Sequence, residues 1–148
     1  MQASRKQLLR GRVAMTIAGL LGLSICAQTW ANHPRSEEQA TDTGRQLVES
    51  ATHGGLAQAF DLANELRRAD DPAFASSLDH QRQILTAELG TLGAAGKVQL
   101  TGELHFGGCI TREFRVRYAA GDVRWILKFR QGVAGFYLYD LAVTSLNG

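Results

Sequence analysis

The sequence contains only two cysteines and two prolines among its 148 residues. Cys26 lies in the apolar N-terminal segment, and Cys109 follows a pair of glycines. A disulfide framework of the kind that stabilises small secreted domains is therefore excluded. No two cysteines are spaced for zinc. The histidines are scattered along the chain: His33, His53, His80 and His105. We predict no metal site and no cofactor.

The motifs of common catalytic sites are also absent. The chain has no G-x-x-x-x-G-K-[ST] phosphate loop and no H-E-x-x-H zinc helix. No serine or cysteine lies in a nucleophile elbow. These absences favour a protein that is not an enzyme, but they leave the question of catalysis open.

The composition is that of one globular domain, with 45% hydrophobic and 20% charged residues. The formal net charge is +2, but four of the 16 basic residues lie in the first dozen positions, so residues 32–148 carry a net charge of −2. Such a domain attracts nucleic acid weakly, and we expect no nucleic-acid partner. Six basic residues nevertheless fall on two neighbouring predicted strands: Arg112, Arg115, Arg117, Arg124, Lys128 and Arg130. This local positive charge indicates either an anionic partner or a well-solvated surface.

Residues 1–31 have the three-part layout of a secretory signal peptide. Met1–Arg12 is basic, Val13–Ala27 is an apolar run of 15 residues, and small residues follow at Thr29 and Ala31. The run is shorter than the roughly 20 residues that span a bilayer. We predict cleavage after Ala31, with Ala27 as the alternative, and a protein exported to the periplasm or secreted from a bacterial cell.

Membrane association is expected only if the signal is retained or Cys26 is lipidated. A lipoprotein box requires a small residue directly before the cysteine, and Ile25 stands there. Residues 32–42 are polar and contain Pro34, which predicts a flexible leader before a single α+β domain over 43–148.

Two helices are predicted at the start of that domain. The first, over 43–68, begins at Thr43, where Gln46 would complete a capping box. Gly54 and Gly55 interrupt it and are compatible with a kink, a split into two helices, or close approach of a strand. The second helix, over 72–90, begins after Asp71, because proline suits the first helical position.

Residues 97–146 predict a four-stranded antiparallel meander with one apolar face. A three-residue first loop would pair Leu104 with Arg112 and keep the apolar faces together. The next turn is expected to pair Tyr118 with Val123. In the last strand Asp140 would then fall on the apolar face beside Trp125. Because Leu141 and Val143 continue the apolar character on the other side of the strand, we expect either a bulge near Asp140 or burial of both faces of this strand.

Arg112 and Asp140 are the polar exceptions on the apolar face, and they either form a polar pair in the core or line a pocket. The candidate binding residues are Arg112, Phe114, Trp125, Leu127, Phe129 and Asp140. The candidates for acid–base chemistry are Asp140, assisted by Tyr118 or Tyr139. Cys109 is interpreted as a small residue at a strand start, because no lysine or histidine lies next to it; the alternative is an exposed thiol that pairs with another chain.

The order of elements, helices first and then an antiparallel meander, resembles the NTF2-like group of the cystatin-like superfold. The meander contains the runs W-I-L-K-F-R (Trp125–Arg130) and G-F-Y-L-Y-D-L-A-V (Gly135–Val143). The run A-D-D-P-A-F-A-S-S-L (Ala69–Leu78) is similar to exported members of that group. The resemblance implies N-terminal helices packed on a curved sheet, a pocket between them and dimers through the sheet. We therefore expect an exported module that binds a small apolar ligand or a protein partner. The alternative is an isomerase-type or cyclase-type enzyme.

Overall fold

The computed structural model describes residues 33–146, which form three helices followed by four strands. The helices are α1 (Glu37–Thr52), α2 (Leu56–Leu66) and α3 (Pro72–Leu89). The strands are β1 (Ala95–Phe106), β2 (Cys109–Tyr118), β3 (Gly121–Gly132) and β4 (Gly135–Ser145). The predicted α+β class is confirmed. The predicted signal segment, its cleavage site and Cys26 lie outside the described residues.

Helix α1 begins six residues before the predicted start, so the prediction of a flexible leader over 32–42 is wrong for most of that range. Ser36 caps the helix by accepting a hydrogen bond from the Gln39 amide at 3.1 Å. The Gln39 side chain in turn accepts from the Arg35 amide. The Pro34 carbonyl accepts from the Phe136 amide, which ties the segment before the helix to β4. Ser36 thus caps the helix seven residues before the position predicted from Thr43, and Gln39 reaches back one residue further than in a capping box, to Arg35 instead of the cap residue.

The glycine pair splits the predicted first helix in two. Gly54 has φ +87°, a left-handed conformation that other residues rarely adopt. Helix α2 then starts at Leu56. The start of α3 is as predicted, since the Asp71 side chain accepts from the Phe74 amide at 3.0 Å and Pro72 takes the first turn.

The sheet order is β1-β2-β3-β4, and every pair is antiparallel. The predicted three-residue loop between β1 and β2 is wrong, because Phe106 pairs with Cys109 across a two-residue turn. A bulge between Leu100 and Gly102 then exchanges the faces of β1. As a result Leu104 and Phe106 lie on the outer face, where they are 65% and 84% exposed.

The other two hairpins also differ from the predicted register. Tyr118 pairs with Gly121 rather than Val123, so Trp125 lies beside Phe114. A bulge in β4 opposite Lys128 and Phe129 places Asp140 opposite Lys128. The bulge alternative near Asp140 is therefore confirmed, and its predicted position on the apolar face is wrong.

The helices pack on one face of the sheet and bury a single core. Helix α1 contacts β1, β2 and β3, whereas α2 and α3 contact β4. Gly44 allows the close approach of α1, because a Cβ there would lie 3.2 Å from Cε2 of Phe114. The largest fully buried side chains are Trp125, Phe114, Phe129, Leu47, Leu66 and Ile110.

Candidate functional site

A cleft of about 370 Å³ lies where the C-terminal ends of α1 and α3 meet the start of α2 and the end of β2. We call it the Tyr118 cleft. It is lined by Ala51, Thr52, Gly54, Leu56, Ala57, Leu85, Thr86, Leu89, Gly90, Gly93 and Tyr118. None of these residues carries a charge. Its volume is within the range of pockets that hold small molecules.

Tyr118 supplies the unusual polar group of this cleft. The residue is 6% exposed, and its hydroxyl is buried without a hydrogen-bond partner in the part of the chain that the structure describes. Burial raises the pKa of Tyr118, so the phenol stays protonated at neutral pH. The hydroxyls of Thr52 and Thr86 donate to carbonyls of their own helices instead. The cleft is therefore lined mainly by apolar side chains, and Tyr118 in its wall carries a buried hydroxyl without a partner among the described residues.

Glycines line the cleft at both helix ends. A Cβ on Gly54 would meet no atom within 4 Å, so the turn after α1 borders free space. Gly90 and Gly93 occupy the corresponding turn after α3. The signal that sequence reasoning missed is this pair of glycine-rich helix ends, which the fold brings together beside Tyr118.

The wall that α3 forms has open space on its other side as well. A second depression of about 230 Å³ shares Leu85 and Leu89 with the Tyr118 cleft. The last turns of α3 therefore border open space on two sides.

The predicted aromatic and aliphatic binding residues lie elsewhere. Phe114, Trp125, Leu127 and Phe129 are completely buried. They fill the core between helices and sheet, and none of them lines the Tyr118 cleft. Their role is to hold the sheet and α1 together.

Arg112 lies at the opposite end of the inner face of β2 from Tyr118, about 20 Å away at the usual rise of a strand. Its Nε lies 2.7 Å from Oγ1 of Thr41 and 3.4 Å from Oε1 of Glu103, and its Nη2 lies 3.4 Å from Oε2 of Glu37. His105 Nδ1 lies 2.8 Å from the other oxygen of Glu37. We call these five residues the Arg112 cluster. It joins the first turn of α1 to β1 and β2.

Asp140 is not part of that cluster, so the predicted core pair with Arg112 is wrong. The carboxylate lies 2.8 Å from Nζ of Lys128 on the outer face and is 43% exposed. This interaction raises the pKa of Lys128. Tyr139 also lies on the outer side, where its ring is 5.0 Å from the Arg130 guanidinium. The structure therefore does not bring Asp140 or Tyr139 together with Tyr118.

Cys109 has a charged neighbour that its sequence context did not indicate. Nε of Arg130, on β3, lies 3.5 Å from Sγ of Cys109. Hydrogen bonding from Arg130, with a smaller contribution from Tyr139, lowers the pKa of the thiol. Cys109 thus has more thiolate at neutral pH than a free cysteine. The interpretation of Cys109 as an inert small residue rested on sequence neighbours, whereas the relevant neighbour comes from the adjacent strand.

Among residues 33–146 no group of three or more potential metal ligands is assembled. No helix in the same range is long and apolar enough to cross a membrane. Comparison of the chain with protein-family models, curated proteins and solved structures finds no match. The fold and the cleft therefore define the protein only by class: an α+β domain with helices on one face of a four-stranded antiparallel sheet.

Proposed function

We propose that this protein binds a small, largely apolar molecule in the Tyr118 cleft. The observation that carries the proposal is the buried, unpartnered hydroxyl of Tyr118 at the wall of an otherwise apolar cleft. Leaving such a group unsatisfied costs about 1–3 kcal/mol. A guest recovers that cost if a small shift of the cleft wall lets its hydrogen-bonding group reach this buried hydroxyl.

The lining also indicates the chemistry of the guest. Because no charged residue lines the cleft, an ionic ligand would lose its hydration without gaining a counter-charge. A neutral molecule with an apolar body and one hydroxyl or carbonyl group fits best. A cleft between helices and sheet is also what the resemblance to the NTF2-like group implied, and we propose the chain as an exported member of that group.

The lining favours binding over the alternative of an isomerase or cyclase. Proton transfer needs a group that titrates near neutral pH. Tyr118 is the titratable residue among the described lining residues, and its raised pKa keeps it protonated. Asp140, the predicted acid–base group, lies on the outer face with Lys128.

The hydroxyl of Tyr118 should give the cleft a preference for a guest that can form a hydrogen bond. We expect 2-naphthol to bind about fivefold more tightly than naphthalene, the difference that one hydrogen bond of roughly 1 kcal/mol produces. Tyr118→Phe should abolish this preference while naphthalene binding is retained. Affinities are measured by fluorescence titration, with Tyr137→Phe on the outer side of the sheet as the matched control.

A steric variant locates the guest independently. Ala57→Phe should fill the cleft and prevent binding of both probes, whereas Ala87→Phe, on an exposed position of α3 outside the lining, should not. Equal binding by Ala57→Phe and the unmodified protein would place the guest elsewhere. An unchanged preference for 2-naphthol in Tyr118→Phe would remove the assigned role of the hydroxyl.

We also propose export through cleavage of residues 1–31. The support is the basic, apolar and small-residue layout of that segment. Intact-mass measurement of the protein recovered from outside the cytoplasm is expected to give a chain that starts at Asn32 without a lipid. A mass that retains Met1, or a lipid on Cys26, would contradict this proposal.

A further inference from the structure

A depression of about 300 Å³ on the outer face of the sheet is lined by Gly96, Lys97, Gln99, Thr101, Arg115 and Arg117. We call it the basic groove. It lies on β1 and β2, on the face opposite the helices, and shares no lining residue with the Tyr118 cleft. Its three charged residues are all cationic.

Two of these cations have no carboxylate to neutralise them. Among residues 33–146, neither Lys97 nor Arg115 forms an ion pair or a side-chain hydrogen bond. Arg117 lies 3.5 Å from Asp122 but is 84% exposed, so that pair is weak in water. The groove therefore retains net positive charge.

The strand register adds a further cation beside the groove. Arg115 lies directly opposite Arg124 on β3, an arrangement of like charges that destabilises a sheet. Glu113 approaches Arg124 only to 4.0 Å and also accepts a hydrogen bond from Thr101. The positive charge of the groove is local, because residues 32–148 as a whole carry a net charge of −2. Binding of an anion would relieve the repulsion between these arginines.

We propose that the basic groove binds a phosphate group. Arg115 and Arg117 are two residues apart on one strand face, which places their Cα atoms about 7 Å apart, so their guanidinium groups can converge on one ligand. Planar guanidinium groups bind phosphate oxygens through paired hydrogen bonds. Lys97 supplies a third charge from β1, and Gln99 a neutral donor. The ligand is either a soluble phosphate compound or the phosphate headgroup of a lipid.

The soluble source is tested with inorganic pyrophosphate. In an NMR titration of the ¹⁵N-labelled protein, we expect saturable shifts of the amides of Lys97, Gln99 and Arg115, which sodium chloride at equal ionic strength does not reproduce. Arg115→Gln should weaken binding about tenfold or more, because a charged hydrogen bond contributes about 1.5–3 kcal/mol. Arg82→Gln, at an exposed position of α3, removes the same charge and should leave the affinity unchanged.

The lipid source is tested by cosedimentation with phosphatidylcholine vesicles that contain phosphatidic acid. Binding that Arg115→Gln reduces and Arg82→Gln does not would assign the groove to a lipid headgroup. Pyrophosphate binding without such vesicle binding would assign it to a soluble phosphate compound. The proposal is overturned if pyrophosphate causes no saturable shifts and the vesicles do not bind either. It is also overturned if Arg115→Gln and Arg82→Gln weaken binding equally, because the effect is then one of general charge.

Discussion

Replacement of Trp125 by alanine is expected to lower the free energy of unfolding by about 3–5 kcal/mol. The side chain is completely buried at the centre of the inner face, between Phe114 on β2 and Val143 on β4. Its loss leaves a cavity that rigid neighbouring strands cannot close. Urea unfolding followed by far-UV circular dichroism measures the effect, because the substitution removes one of only two tryptophans and with it a fluorescence signal.

Two further variants show whether packing is the cause. Trp125→Phe keeps most of the ring volume and removes an indole N–H that has no partner among the described residues, so it should cost clearly less than the alanine variant. Leu104→Ala, on the outer face at a position 65% exposed, should change stability by no more than about 0.5 kcal/mol. An alanine variant at Trp125 that is as stable as Leu104→Ala would contradict the described core.

The faces of β2 and β3 could be predicted from the sequence, but their pairing could not. Alternation identifies which side chains share a face, as it did for Phe114, Val116 and Trp125. A shift of two residues in the pairing keeps every side chain on its face, so the hydrophobic pattern is the same in both registers. The short Ala119-Ala120 turn decides between them, and these residues are not characteristic of one turn type.

Strand β1 shows a different limit. Its alternation from Val98 to Phe106 is regular and predicts a single apolar face. The bulge after Leu100 reverses the faces and brings Glu103 to within 3.4 Å of Arg112, a buried charge near the start of β2. We attribute the bulge to the need of this charge for a partner. This pairing is a tertiary interaction, so the local pattern gave no sign that the apolar side chains of Leu104 and Phe106 would face solvent.

The candidate site was only partly within reach of the sequence. Tyr118 was named as a candidate, although as an assistant to Asp140. Its importance comes from burial without a partner beside two glycine-rich helix ends that are distant in sequence. Only the packing of α1, α2 and α3 brings these ends together. Dimerisation through the sheet and the absence of a nucleic-acid partner stay predictions.

The second large effect concerns the Arg112 cluster. Glu37→Gln combined with Glu103→Gln is expected to lower the free energy of unfolding by about 3 kcal/mol. Both carboxylates lie 3.4 Å from the guanidinium, whose side chain is only 6% exposed. Without them the buried charge has no anionic partner, and only neutral acceptors remain: the Thr41 hydroxyl, the Thr111 carbonyl and the amide oxygens of the new glutamines. Urea unfolding monitored by circular dichroism measures the loss.

Arg112→Met should cost much less than that double substitution, although it removes the centre of the same cluster. Methionine fills similar space without a charge to desolvate, and Glu37 and Glu103, which are 41% and 59% exposed, turn to water. Adding Arg112→Met to the double variant should therefore restore most of the lost stability.

The matched control for this series is Glu38→Gln with Glu49→Gln, two exposed positions on α1. It removes equal charge, including one carboxylate from the first turn of α1, where the helix dipole is worth about 0.3–1 kcal/mol. A loss in the control equal to that of the Glu37 and Glu103 double variant would attribute the effect to the helix dipole and net charge.

A failure of Arg112→Met to rescue the double variant would mean that the carboxylates stabilise the fold through contacts other than Arg112. The buried guanidinium would then not be the reason that β1 bulges to bring Glu103 and His105 inward.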